Sequence, residues 1–300
     1  MTRYILQSCY FILGLTGCFL LLELPVQWNY AIQNSDMGDW QALADIDADI
    51  VLVGNSRTWT TYNTEYMSQK LGASVYALAQ DGWEYNLLET KLKHYLSQNN
   101  IPEFIFIQAD PAILGHRDDW YDKPNFLKYL WLDREGLHST MRGYEGNHWW
   151  EWGIPFIRYL SYPQTYIRDS TGGHDPLNRR YGSWPDSSTT ALPLSKLPIT
   201  KWSISEDALA YLERVSSIQG SEIYFFASPI SQTLSTISEF EPIKAKAACL
   251  DLDFIDLTRQ GLPDSYFRNH THVNRFGSEW ATDTLTAFIR QIQIHALQQP

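Results

Sequence analysis

Cysteine is scarce in this chain of 300 residues: there are three. Cys9 and Cys18 lie inside an apolar N-terminal run and Cys249 stands alone, which excludes a disulfide framework and a Cys-based metal site. Basic charge is also short. Lys plus Arg total 23 against 34 Asp plus Glu, a formal charge of -11, so the field of the protein repels phosphate backbones and nucleic acid is not expected as a partner. Metal-ligand spacing is missing as well: His116 with Asp118 and Asp119, and His174 with Asp175, have no His-x-x-x-His or paired Cys beside them, and neither metal nor cofactor is expected. Repeats and low-complexity tracts are absent, and 44% apolar against 19% charged residues excludes a disordered or collagen-like chain and leaves enough apolar material for a core.

One region lacks charge for long enough to matter. Residues 4–24 form an apolar stretch of about 21 positions, sufficient to cross a hydrocarbon core at 1.5 Å per residue. Arg3 precedes it, and the next basic residue is Arg57, after a stretch carrying Glu23, Asp36, Asp39, Asp45, Asp47 and Asp49. That asymmetry puts the N-terminus inside and the remainder in the periplasm or cell exterior. Three fates compete. A cleaved signal peptide wants small residues of the A-x-A kind at its end, which are not found before Pro25. Leu15-Thr16-Gly17-Cys18 has the form of a lipidation site at Cys18, but Phe19-Leu20-Leu21-Leu22 continues the apolar run. An uncleaved anchor over residues 1–26, carrying an α/β domain over 27–300, accounts for the whole stretch.

Beyond Asp49, short apolar runs alternate with helical patterns. Ile50–Val53, Ser74–Leu78, Phe104–Ile107, Glu222–Phe226 and Phe254–Leu257 read as strands; Glu84–Gln98, Glu206–Val215 and a closing segment from about Phe276 to Leu297 read as helices. This order predicts an α/β fold, a three-layer sandwich around a mostly parallel, flavodoxin-like sheet. Alternation stops from about residue 113 to 204, where Trp120, Trp131, Trp149, Trp150, Trp152, Trp184 and Trp202 concentrate. Such a segment is an insertion rather than a linker. Its rings either fill a small core of their own or line a cleft over the sheet edge bearing Ser56, where open α/β sheets bind ligands.

Two segments carry chemistry. In Val51-Leu52-Val53-Gly54-Asn55-Ser56-Arg57 a buried strand runs into a tight turn that presents a hydroxyl at the carboxyl edge of the sheet. Near the other end stands Tyr266-Phe267-Arg268-Asn269-His270-Thr271-His272-Val273-Asn274-Arg275-Phe276-Gly277. Together they resemble the SGNH (GDSL) hydrolase superfamily, in particular its cell-envelope members, with Gly-(Asn/Ser/Asp)-Ser-Arg first and Asp/Asn-x-x-His-(Leu/Val)-Asn-x-x-Gly last. The resemblance covers about Asp49–Pro111 and Glu222–Leu297 and leaves the insertion outside.

The resemblance implies that Ser56 is a nucleophile, His272 its base, and the Ser56 and Gly82 N–H groups an oxyanion hole. Where the family places an Asn after the third strand, this chain has Gln108-Ala109-Asp110, so either Gln108 substitutes or the hole has two donors; an ionised Asp110 cannot donate. Where many relatives carry Asp three residues before the histidine, Asn269 stands, which can fix a tautomer but cannot offset an imidazolium. Arg57 is a substrate contact or a salt-bridge former. Ser56 as a plain helix cap, His272 as a structural histidine and His270 as a competing base are the alternatives at each position. The implied activity is an extracytoplasmic acyl-ester hydrolase or O-acyltransferase on a carbohydrate or other envelope acyl ester, working beside a membrane O-acyltransferase. The alternative is a non-catalytic binding or assembly component on the same scaffold.

Overall fold

The computed structural model describes residues 2–32, 43, 45–82, 84–115, 140, 148, 150, 154, 156–171, 182–183, 185–189, 204–231, 240–258 and 262–296. Two compact units divide the chain: Met1–Asn34 with Arg117–Pro176, and Ser35–His116 with Leu177–Pro300.

The second unit is built on five strands, β1 (Ile50–Gly54), β2 (Val75–Ala79), β3 (Phe104–Gln108), β4 (Glu222–Ala227) and β5 (Phe254–Asp256). All pair in parallel, in the order β2-β1-β3-β4-β5. Every residue of β1, β2 and β3 is buried, because helices cover both faces of a parallel sheet, and this explains why these strands read as continuous rather than alternating apolar runs. One face packs on α9 (Arg275–Ala296), joining Ile50, Leu52, Phe104 and Phe106 to Ala281, Leu285 and Ile289. Among the described residues, the remaining α-helices of this unit are α2 (Ser56–Trp59), α3 (Thr64–Leu71), α4 (Tyr85–Gln98), α5 (Pro111–Leu114), α7 (Glu206–Ser216) and α8 (Phe240–Cys249). Strand order reverses at β1, flanked by β2 on one side and β3 on the other. In an open parallel sheet that switch point leaves a crevice at the carboxyl ends of the strands.

In the first unit, α1 (Thr2–Ile32) contains a 27-residue stretch, Arg3–Asn29, that is long and apolar enough to cross a membrane. Its last third behaves differently from its exposed first part. Glu23, 1% exposed, accepts from Gln27 Nε2 at 2.7 Å and from the Phe156 amide at 3.0 Å, and forms an ion pair with buried Arg158. Helix α6 (Pro163–Thr171) lies along the same part of α1: Tyr166 donates its hydroxyl to Leu22 O at 2.9 Å, and Asn29 Nδ2 donates to the carbonyls of Asp169 and Ser170. The helix continues past residue 26 to Ile32, and there Asn29 is held by the carbonyls of Asp169 and Ser170.

Candidate active site

The serine turn is shaped by a glycine and a cap. A Cβ added to Gly54 would sit 1.9 Å from Thr58 Oγ1 and 2.5 Å from Gln108 Oε1, so the last position of β1 admits no side chain. Asn55 then caps α2, accepting from the Arg57 amide at 3.1 Å. Ser56 is the first residue of that helix, where a backbone N–H has no intrahelical acceptor. On the neighbouring strand, Ala79 pairs with Gly54. Three residues on, Gly82 takes the left-handed conformation (φ 65°) that glycine adopts without strain. Trp59 Nε1 donates to Asp81 Oδ1 at 2.6 Å, tying this second loop to α2.

The histidine comes from the loop before α9. His272 Nε2 stands 3.0 Å from Ser56 Oγ, across 216 positions of sequence. Around it the loop folds on Asn269, whose Oδ1 accepts from the amides of Thr271 (3.0 Å) and His272 (2.8 Å). His272 Nδ1 lies 3.0 Å from Thr271 Oγ1 and 3.3 Å from Asn269 Oδ1. Asn274 Oδ1 accepts from the Phe276 and Gly277 amides, fixing the start of α9. Gly277 is required by close approach, since a Cβ there would meet Tyr266 O at 2.5 Å.

Gln108, Asp110 and Arg57 bond to one another beneath the serine turn, and of the two roles open to Arg57 the salt bridge is the one it forms. Gln108 Oε1 accepts from the Asn55 amide (3.2 Å) and Thr58 Oγ1 (2.7 Å), while its Nε2 donates to Asp110 Oδ2 at 2.5 Å. Asp110 pairs with Arg57 Nη1 at 2.7 Å and caps α5 through the Ala112 amide. Arg57 Nη2 donates to Ser228 O at 2.6 Å. Gln108 and Asp110 are fully buried and Arg57 is 4% exposed. These groups therefore form a brace across the carboxyl ends of β1, β3 and β4. The pairing has a simple cause: a buried carboxylate at a strand end needs a cation, and Arg57 is the one the turn supplies.

Burial pushes the His272 imidazole down to about 4 from its usual 6.5; the positive charges of Arg57 and Arg268 act in the same direction and Asp186 opposes them. Asp186 arrives from a segment far away in sequence. Its amide donates to Thr60 O at 3.0 Å and its carboxylate pairs with Arg268 at 3.0 Å. A cavity of about 680 Å³ opens beside it, lined by Asn63, Tyr66, Asp186, Arg275, Glu279 and Asp283 among others. Sequence reasoning missed Thr271, Arg268 and Asp186 as neighbours of the histidine. Thr271 and Arg268 were within reach of a local reading of the Arg-Asn-His-Thr-His segment, whereas nothing near Asp186 signals its position.

Among the described residues no group of three His, Cys, Asp or Glu could hold a metal ion. His116, Asp118, Asp119, His174 and Asp175 lie outside the described residues, as do Trp120, Trp131, Trp149, Trp152, Trp184 and Trp202.

No protein-family model matches the chain, and no curated protein matches it. Among solved structures it is similar to Est2A, an acetyl xylan esterase from the rumen bacterium Butyrivibrio proteoclasticus, with a TM-score of 0.38 and 10% sequence identity. The match covers 81% of this chain and 63% of that one, so the chain spans less than two thirds of that esterase.

Proposed function

We propose that the chain is an SGNH-type serine acyl-ester hydrolase or acyltransferase, with Ser56 as nucleophile and His272 as general base. The observation that carries this reading is the 3.0 Å approach of His272 Nε2 to Ser56 Oγ at the carboxyl edge of the sheet. Attack of Oγ on an ester carbonyl passes the serine proton to Nε2, and the imidazolium then protonates the departing alkoxide. The backbone amides of Ser56 and Gly82 are the donors assigned to the tetrahedral oxyanion; Gln108, fully buried and with one Nε2 hydrogen given to Asp110, is not counted among them. Water completes a hydrolase cycle, and a sugar hydroxyl completes a transferase cycle. Held down near 4, the histidine is a free base throughout the neutral range, at the cost of weak proton affinity.

The reading extends to location and partners. Helix α1 is a retained membrane anchor with the remainder outside, since removing the helix would strip buried Arg158 of Glu23. A carbohydrate acyl ester and a membrane O-acyltransferase are the proposed substrate and neighbour, in keeping with the many Trp residues between 113 and 204.

The test uses the full chain in detergent. Wild type should hydrolyse p-nitrophenyl acetate and take a fluorophosphonate label, and Ser56→Ala should lose both. Equal rates and no labelling in either protein would instead favour the non-catalytic binding or assembly component.

A further inference from the structure

We propose that the Thr271 hydroxyl is the positioning group of His272, taking the place at Nδ1 that a carboxylate would fill. The inference rests on the serine–histidine reading above and deepens it. For Nε2 to accept the serine proton, the neutral imidazole must carry its hydrogen on Nδ1. Two oxygens compete for that hydrogen. Asn269 Oδ1 is the farther of the two, at 3.3 Å, and also faces the Thr271 and His272 amides. Thr271 Oγ1 is nearer, at 3.0 Å, and a hydroxyl retains acceptor capacity while donating its own hydrogen elsewhere. That hydrogen has a place to go, because Thr271 Oγ1 lies 3.2 Å from Asn269 Oδ1.

A hydroxyl beside an imidazole does not by itself choose a tautomer. If Thr271 donated to Nδ1, the ring hydrogen would sit on Nε2 and face Ser56 uselessly. Asn269 sets the direction. Its side-chain oxygen, rather than its nitrogen, must face the loop, since two backbone N–H groups point at it. An acceptor-only oxygen draws the Thr271 hydrogen toward itself and leaves an Oγ1 lone pair for Nδ1–H. The relay runs Nδ1–H to Oγ1, then Oγ1–H to Oδ1, with one acceptor for each hydrogen. Asn269 therefore acts on the histidine mainly through Thr271, and the lack of an aspartate at 269 does not leave Nδ1 without a partner.

Two substitutions separate the hydroxyl from the shape of the side chain. Thr271→Val keeps the branched form and the backbone amide but removes the hydroxyl; Thr271→Ser keeps the hydroxyl. In the full chain, labelled with 15N-histidine and assigned against His272→Gln, wild type and Thr271→Ser should show His272 as the Nδ1–H tautomer. Thr271→Val should lose that preference. On p-nitrophenyl acetate kcat should fall about tenfold in Thr271→Val, with KM little changed and the thermal midpoint held, and Thr271→Ser should restore it. A Thr271→Val spectrum identical to wild type would overturn the relay, as would a Thr271→Ser protein whose tautomer resembles that of Thr271→Val. Because the tautomer is read without turnover, an inactive wild type would count against the esterase reading while the relay is still decided by the spectrum.

Discussion

The two halves of the serine–histidine pair are held by opposite means. Ser56 sits over a buried polar brace in which Arg57, Asp110, Gln108 and the Ser228 carbonyl join three strand ends. His272 sits in a partly exposed loop that closes locally on Asn269 and is tied to distant segments by the Ser231 amide on His270 O and by the Arg268–Asp186 pair. Low dielectric makes each bond in the brace costly to break, because the group left behind has no water to turn to. At the exposed rim of the loop, where Arg268 stands, water replaces what a substitution removes. The brace and the loop therefore divide two tasks: stability is concentrated under the nucleophile, and adjustable chemistry is concentrated around the base.

The sharpest way to break this contrast is Asp110→Ala. It strands the Arg57 cation, 4% exposed, and leaves Gln108 Nε2 without its acceptor. Removing one partner of a buried pair costs about 3–5 kcal/mol, so a denaturant titration should show a midpoint far below wild type and a large loss of folded protein. A loss no larger than that of an exposed loop substitution would mean that the brace is not what holds the serine turn.

The sheet was legible because burial on both faces leaves an unbroken apolar run. All five strands fall within a residue or two of the segments read from sequence, and Glu84–Gln98 needs only Glu84 moved from helix to cap. Helix α3 escaped, being eight residues long with little apolar patterning, although Asn63 and Gly72 cap its two ends as sequence signals should. Helix α8 escaped because Pro242, which reads as a breaker, is tolerated in its first turn. At the site, Ser56 and His272 were readable as local motifs. A salt bridge at Arg57 was open from the sequence, but its partner, and the bonds of Gln108 and Asp110 beneath the turn, depend on which strand ends are neighbours, a fact of topology that no local window contains.

Asn269→Asp comes next in size and acts on the base alone. In wild type, kcat/KM on an activated ester should stay level from neutral pH down to about 5 and fall as pH drops through about 4, where His272 gains its proton. A carboxylate at 269 favours the imidazolium, so the folded-state pKa rises and the acid limb moves toward neutral by about one unit or more. Turnover above that limb should increase, because the base now holds the serine proton more firmly. An acid limb unmoved in Asn269→Asp would show that residue 269 has no electrostatic hold on the imidazole.

The smallest expected effect lies at the edge of the loop, in Arg268→Gln. Arg268 is 58% exposed and paired with Asp186, and its charge is one of the influences that lower the histidine's pKa. Deleting it removes a repelling cation and also frees the Asp186 carboxylate, which acts in the opposite sense. Both changes favour the imidazolium, so the acid limb of kcat/KM must move upward. Solvent limits the size: exposed charges act through a high dielectric and are screened over about 8–10 Å at ordinary ionic strength, which leaves a shift of roughly a few tenths of a unit. Raising the salt to about 1 M shortens the screening length to about 3 Å and should erase this shift, while that of Asn269→Asp, made within the loop at close range, should largely persist. Folding should respond little, since Arg268 is 58% exposed and the less exposed Asp186 keeps the Ser188 amide as a donor. An upward shift as large as that of Asn269→Asp, or one indifferent to salt, would place Arg268 inside the same low-dielectric environment as the brace and remove the distinction between the two halves of the site.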